Sequence, residues 1–437
     1  MSKRPNFLVF YLDDLGYGDL GCQGSDLIRT PYIDSLAADG TRFTNWYASS
    51  PVCSPSRASL LTGRCPTRAG VPHILEGERG TPGLAPDEIS MATLLRDAGY
   101  NTGMFGKWHL GVAEECRPNA HGFDEFYGFL AGCIDYYSHI FYWCMAGGSN
   151  PVHDLWHNEE EVWNNGRYFT EDISEKSVKW LRDQRSEDDP FFLYVPYNAP
   201  HYPMHAPQEY LDRYPDASWD RQIMAAMVSA VDDSVGAIIT ELKRQGIYDD
   251  TVIFFSSDNG PSTEDRNWLD GTEDYYYGGS AGVFRGHKGS LFEGGIREPA
   301  IITWKDGMPS GQVSDETCGT IDVMPTFFEI AGVEMPADRT IDGISVLPVI
   351  RDGAKTPHEK IFWDYADQLA VREGDWKLVL DGKLDFSRSQ PDPVHLSNLA
   401  DDPGERVNLV NEKPELAARL SAEVREWQAS ITAERGE

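Results

Sequence analysis

The sequence predicts an α/β fold: a large, mostly parallel sheet flanked by helices, with a smaller C-terminal antiparallel subdomain capped by a helix. Three observations predict it. Continuous apolar runs of strand length alternate with amphipathic runs of helix length along most of the chain, the pattern of βαβ units whose strands are buried on both faces. Beyond Pro348 the texture changes to short strand-like pieces separated by Asp and Gly turns. At 437 residues the chain can hold one large core with a smaller one attached, and the division is expected between 1–350 and 351–437.

The first run, Phe7-Leu8-Val9-Phe10-Tyr11-Leu12, ends abruptly at Asp13-Asp14-Leu15-Gly16-Tyr17-Gly18-Asp19. Residues 31–43 read as a helix with Ile33, Leu36 and Ala37 on its apolar face, closed by Gly40. A second helix over 88–98 stops at Gly99, and the strand 100–105 leads into Gly106-Lys107-Trp108-His109. Residues 172–185 are helical, and the strand 191–197 runs into Asn198-Ala199-Pro200-His201. A long helix over 220–245 ends at Gly246, and the strand 251–256 enters Ser257-Asp258-Asn259-Gly260. In the C-terminal part, 361–365, 369–372 and 376–380 read as strands and 412–435 as a final amphipathic helix.

Net charge is −32, from 38 basic and 70 acidic residues. That argues against nucleic acid or an anionic membrane as a partner, and against a long polyanion unless the site has its own basic patch. The seven cysteines (22, 53, 65, 116, 133, 144 and 318) show neither a CxxC pair nor zinc-type spacing. An odd count fits reduced thiols better than a disulfide framework. The apolar run at residues 7–12 is too short for a signal h-region or a membrane span. The chain as given therefore reads as cytoplasmic, or as periplasmic or secreted if a signal was removed.

In parallel sheets, ligands gather outside the carboxyl ends of the strands. Four runs here end within a few residues of groups able to do chemistry: Asp13 and Asp14; Lys107 and His109; His201; Asp258 and Asn259. Asp13, Asp14, Asp258 and Asn259 are hard oxygen donors suited to Ca²⁺ or Mg²⁺ rather than zinc. Adjacent aspartates repel each other without a cation. A further segment, Pro51-Val52-Cys53-Ser54-Pro55-Ser56-Arg57, precedes an apolar, helix-prone run. With Ser54 as N-cap and Pro55 at the first helical position, Cys53 is expected just outside a helix N-terminus, where an anion is favoured. The residues alone admit a buried, inert cysteine as readily as a reactive one.

Cys53-Ser54-Pro55-Ser56-Arg57, followed by Leu61-Thr62-Gly63-Arg64, resembles the signature of the type I (formylglycine-dependent) sulfatases of the alkaline phosphatase-like superfamily. The resemblance extends through the Asp-Asp and Ser-Asp-Asn-Gly contexts and Gly294-Gly295-Ile296-Arg297-Glu298-Pro299. In the C-terminal part it continues through Val371-Arg372-Glu373-Gly374-Asp375-Trp376-Lys377 and Leu399-Ala400-Asp401-Asp402-Pro403-Gly404-Glu405, so it covers most of the chain. Residues 131–167 and 260–282 fit it least.

The resemblance implies hydrolysis of a sulfate monoester. Cys53 would be oxidised by a maturation enzyme to formylglycine, whose aldehyde hydrate is the nucleophile. Asp13, Asp14, Asp258 and Asn259 would hold Ca²⁺, or Mg²⁺. Arg57 and Lys107 would brace the hydrate, and Lys288 would contact the sulfate. His109 would act as the base that expels sulfate, and His201, with Lys288, as the acid toward the leaving oxygen. Histidine suits both roles because its pKa lies near working pH.

Ser138 and His139 resemble a Tyr-Ser-His element near the family's sulfate pocket, and are candidate substrate contacts. So is Trp268, one of a set of aromatics (Tyr136, Tyr137, Tyr142, Trp143, Trp156, Trp163, Tyr275, Tyr276 and Tyr277) suited to stacking on a sugar or aryl ring. A small sulfated sugar or aryl ester is the expected substrate. Two alternatives stay open: a phosphate or phosphonate ester hydrolase of the same superfamily, and a non-catalytic anion- or glycan-binding protein if Cys53 is never modified.

Overall fold

The computed structural model describes residues 4–142, 151–183, 189–263, 277–385 and 390–434. Among them, a large mixed sheet carries a run of five parallel strands in the order Thr251–Ser257, Asn6–Leu12, Phe191–Pro196, Asn101–Lys107 and Glu125–Phe129. Arg297–Thr303 adds antiparallel beside Thr251–Ser257, and Thr41–Tyr47 beside that. Trp156–His157 and Glu160–Glu161 extend the opposite edge.

The central strand Asn6–Leu12 shows why its sequence is apolar throughout. Leu8, Phe10 and Leu12 enter one core, with the helices Pro31–Asp39, Phe169–Asp183 and Trp219–Arg244. Phe7, Val9 and Tyr11 enter a second core on the other face, with Cys53–Thr62, Met91–Asp97 and Val323–Ala331. Side chains alternate across a strand, so one continuous run seeds two cores. Trp219–Arg244 is apolar and long enough to cross a membrane by composition, but 83% of its apolar window is buried within the protein.

Four sequence expectations are corrected. The first helix stops at Asp39, and residues 41–47 form a strand instead of its last turn. The second helix is shorter than 88–98: Ser90 accepts from Thr93 N and caps Met91–Asp97. The helix expected to begin after Ser54 begins at Cys53 itself, with extended Val52 as its N-cap, while Ser54 Oγ accepts from Leu75 N. A fourth C-terminal strand, Asp392–Asn398, joins Ile361–Tyr365, Gln368–Glu373 and Trp376–Gly382. Of the predicted helix 172–185, residues 184 and 185 lie outside the described residues.

The small antiparallel sheet uses both faces. Leu369, Val371, Leu378, Leu380 and Leu396 pack on Leu420 and Val424 of the helix Pro414–Glu434. Trp363, Ala370 and Val379 on the other face pack on Leu291, Phe292 and Ile296, just after Lys288. The junction contains an ionic cluster: Lys377 Nζ lies 2.8 Å from Glu293 Oε1 and 3.4 Å from Glu405 Oε1, all fully buried. Tyr47 OH and Arg297 donate to Glu293 Oε2 at 2.7 and 3.0 Å.

Asp232, on the long helix, accepts from Ile33 N (2.8 Å) and Tyr32 N (3.2 Å) and so caps Pro31–Asp39 from outside. Burial, together with Asp233 and Asp34, pushes its carboxyl up to about 7. A carboxyl raised on folding favours the folded state only while protonated, so this contribution fades as pH rises from about 4 to about 7. Asp232→Asn removes the charge but keeps one acceptor oxygen. Its melting temperature is expected to gain on wild type between about pH 4 and pH 7 and to level off above that; a constant difference across this range would refute the assignment.

Candidate active site

Asp13 and Asp14 follow the strand Asn6–Leu12, Lys107 ends Asn101–Lys107, His201 follows Phe191–Pro196, and Asp258 and Asn259 follow Thr251–Ser257. These strands are parallel neighbours, so their carboxyl ends meet at one edge. The expected convergence is there. The participating side chains, Cys53 included, are between 0 and 5% exposed.

The charges interlock. Lys107 Nζ binds Asp13 Oδ2 at 2.6 Å. Arg57 lies one helical turn after Cys53 and hence on the same face. Its Nη2 binds Asp258 Oδ2 at 2.6 Å and lies 3.6 Å from Asp13 Oδ1. Lys288 Nζ reaches Asp14 Oδ2 at 3.0 Å and His201 Nε2 at 3.1 Å. Burial pulls the Asp13 carboxyl up, but Lys107, Arg57 and Lys288 together hold it well below the usual carboxylate range. Asp258 goes the other way, raised by burial and by the Asp13 charge.

The oxygens fit a hard cation. Asn259 Nδ2 donates to Gly260 O (2.9 Å) and Asp14 Oδ1 (2.7 Å), which leaves Asn259 Oδ1 buried without a hydrogen-bond partner. Asp13 Oδ1 is likewise buried without one. Oxygens from Asp13, Asp14, Asp258 and Asn259 therefore match Ca²⁺ or Mg²⁺ chemistry. One ligand atom each from Asp13, Asp14, Cys53 and His201 lies within 4.8 Å of the others, which puts the Cys53 sulfur beside this oxygen set.

Burial pushes the Cys53 thiol well above its ordinary value, and Lys107 and Lys288 do not offset it. As a plain cysteine it stays protonated and is a poor nucleophile.

Tautomers follow from partners that can only accept. His201 Nδ1 lies 2.7 Å from Tyr202 O and must donate to it, so in the neutral ring Nε2 carries the lone pair facing Lys288. His109 Nε2 donates to Leu75 O at 3.0 Å, and its Nδ1 is buried with no partner. Burial, then the Lys288 charge at His201 and the Lys107 charge at His109, hold both rings neutral. Asp14 (φ 62°) and His109 (φ 55°) occupy left-handed backbone, a strain that only well-packed surroundings hold in place.

Ser138 and His139 are not drawn into this cluster. His139 is fully buried, with its ring 5.6 Å from Phe169, and its charged neighbours are Asp172, His153 and Asp135. Ser138 N donates to Asp135 Oδ1 at 2.7 Å. Trp268, with Trp143, Tyr275 and Tyr276, lies outside the described residues.

Tyr136, expected as a stacking platform, is instead wholly buried. Its hydroxyl sits 2.9 Å from both Asn198 O and His201 O and steadies the turn carrying His201. Sequence reasoning also missed Glu298, fully buried with neither oxygen hydrogen-bonded; burial, then Asp258 and Asp14, keep it protonated. Its one sequence signal was an acid between Arg297 and Pro299 at the start of an apolar run.

Gly132 shows how tightly His109 is held. A Cβ there would lie 2.9 Å from His109 Cε1 and Nε2, so the ring would have to move. Gly132→Ala is expected to lower kcat by about 100-fold, the scale of a roughly 1 Å misplacement, with a small change in melting temperature. Unchanged kcat would remove His109 from the chemistry.

Comparisons with known proteins identify the family. A family model described as Sulfatase matches residues 5–333, and one described as N-sulphoglucosamine sulphohydrolase, C-terminal, matches 279–430. The chain is 34% identical to arylsulfatase A of Bos taurus, over 98% of this chain and 87% of that one. It is 35% identical to N-acetylgalactosamine-6-sulfatase of Sus scrofa, over 86% of this chain and 71% of that one. Among solved structures, Ps i-CgsB in complex with k-i-k-neocarrahexaose superposes with a TM-score of 0.85 at 32% identity, over 97% of this chain and 93% of that one. The phosphonate monoester hydrolase of Agrobacterium radiobacter shares the fold at a TM-score of 0.66 and 20% identity, over 99% of this chain and 96% of that one. The chain belongs to the sulfatase family of sulfuric ester hydrolases, within the alkaline phosphatase-like superfamily.

Proposed function

We propose that this protein hydrolyses a sulfate monoester on a carbohydrate, with Cys53 acting after oxidation to formylglycine by a maturation enzyme. The observation that carries this is the position of Cys53. It lies among hard oxygen donors and three buried cations, yet burial denies it the thiolate that direct sulfur chemistry needs. The sugar reading draws on the relatives: one is named for N-acetylgalactosamine, and one structure contains a neocarrahexaose.

Asp13, Asp14, Asp258 and Asn259 would hold Ca²⁺, or Mg²⁺, which when bound supplies Lewis acidity to a sulfate oxygen. The chain's own groups do the rest. Arg57 and Lys107 set positive charge around residue 53, and Lys288 meets the sulfate oxygens. His109 Nδ1, with its free lone pair, takes the proton from the oxidised residue's hydroxyl. The proton for the departing oxygen comes from the Lys288–His201 pair. Because His201 Nδ1 is committed to Tyr202 O, Lys288 supplies that proton and His201 Nε2 shares it.

Two measurements test the proposal. The mass of the peptide spanning residue 53 should be lower than that of the cysteine form. Sulfate and phosphate monoesters of one alcohol should then be compared, with the sulfate expected to turn over faster. Faster phosphate turnover, favoured only by the shared fold of the phosphonate hydrolase, would overturn the substrate assignment. Undiminished turnover with unmodified Cys53 would overturn the nucleophile.

A further inference from the structure

Beside the Lys288 loop lies a second cationic pocket that the chemistry above does not use. It is an open cavity of about 670 Å³ between the chain leading into Lys288 and the outer strand of the small sheet. Arg285, Arg406, His395, Asp392 and Asn408 supply its polar lining, and Phe284 one wall.

In a chain of net charge −32, two guanidiniums facing one cavity stand against the field of the whole molecule. Arg285 is held in place: its guanidinium lies 4.1 Å from the centre of the Phe292 ring, and Nη1 donates to Glu405 O at 3.1 Å. Arg406 is exposed, and its guanidinium makes no hydrogen bond or ion pair among the described residues. Asp392, the acid in the lining, is taken up within it: Oδ2 lies 2.8 Å from His395 Nδ1, and Arg285 Nη1 lies 3.3 Å from the same nitrogen. His395 is 2% exposed, and its Nε2 is buried without a hydrogen-bond partner. The pocket thus offers two cations suited to an anion beside the aromatic wall of Phe284 suited to a sugar ring, which describes a sugar bearing an acidic group.

The pocket is also anchored to the active site on two sides. Arg285 precedes Lys288 by three residues, at most about 11 Å of chain. Phe284 packs edge-on against Tyr17, 4.8 Å between ring centres, and Tyr17 belongs to the loop after Asp13 and Asp14.

We infer that the pocket of Arg285, Arg406 and His395 is a binding subsite for a sugar ring that neighbours the one losing its sulfate and carries its own sulfate or carboxylate. This rests on the carbohydrate sulfatase reading. It adds that the substrate is at least a disaccharide with a second negative charge.

The test uses three disaccharides with the same scissile sulfate and a second ring bearing a sulfate, a carboxylate or neither. Wild type is expected to show kcat/KM about tenfold higher for a charged second ring, and the larger of the two preferences identifies the anion. Arg406→Ala should shrink that ratio several-fold and Arg406→Glu should abolish or invert it, acting through KM. Arg351→Ala, which removes an exposed arginine paired with Asp352, serves as the control and should leave the ratio as in wild type. A preference unchanged in both Arg406 variants, equal losses on all three substrates, or no preference in wild type would each overturn the subsite. Failure of wild type to cleave any of the three would instead refute the carbohydrate sulfatase reading.

Discussion

Cys53→Ser is expected to reduce steady-state sulfate release by 10⁴-fold or more, while still permitting one sulfuryl transfer per molecule. A serine at this position keeps an oxygen beside Lys107, Lys288 and the aspartates, so it can attack sulfur once. It lacks the second hydroxyl of an aldehyde hydrate, whose deprotonation would expel sulfate and restore the starting state. The variant should show a burst of alcohol release equal to its own concentration, then stop. Its residue-53 peptide should gain the mass of one sulfuryl group. Sustained turnover by the serine variant would show that residue 53 needs no second hydroxyl, and the formylglycine reading would fall.

The second large effect lies away from the reacting atoms. Lys377→Ala removes the cation between Glu293 and Glu405, leaving two carboxyl groups in a fully buried junction. Breaking a buried pair by removing one partner costs about 3–5 kcal/mol, because the remaining charge stays desolvated. Arg297 and Tyr47 still serve Glu293, so Glu405 bears most of the loss. Its carboxyl is already pushed up to about 7 by burial, against the pull of Lys377. A denaturant midpoint lowered by that amount is the expected result. Glu293 also starts the turn that follows the Lys288 loop, so kcat should fall alongside. A stability change under about 1 kcal/mol would mean that the junction is wetter than the structure shows.

Much of the site was legible because chemistry sits at strand ends. Asp13, Lys107, His201 and Asp258 each follow an apolar run closely, and parallel strands deliver their ends to one edge. The order of those strands was not legible, since it is set by long-range pairing rather than by any local pattern. In sequence, residues 41–43 read as the tail of a helix, although they open the strand Thr41–Tyr47, whose apolar residues are interrupted by Arg42, Thr44 and Asn45. Asp392–Asn398 carries Pro393 and polar side chains, as its place at the edge of the small sheet allows. Tyr136 was misjudged for a different reason: an aromatic residue looks the same in sequence whether it meets a sugar or another ring. Here it meets Tyr168, 5.4 Å between ring centres. The helix carrying Cys53 starts at that residue because extended Val52 takes the cap position without a side-chain hydrogen bond.

The small C-terminal sheet leaves little room for neutral drift. One face is committed to the helix Pro414–Glu434 and the other to the segment after Lys288, so substitutions on either face are felt in stability or in turnover. Natural variation should therefore collect in its connections. Two of them are tight turns, at Ala366 and Asp367 and at Gly374 and Asp375, and tolerate little. The third spans nine positions, 383–391, before Asp392 on the rim of the cationic pocket. Under the subsite inferred above, changes in that connection would alter which second ring is bound, while Lys288 stays where it is.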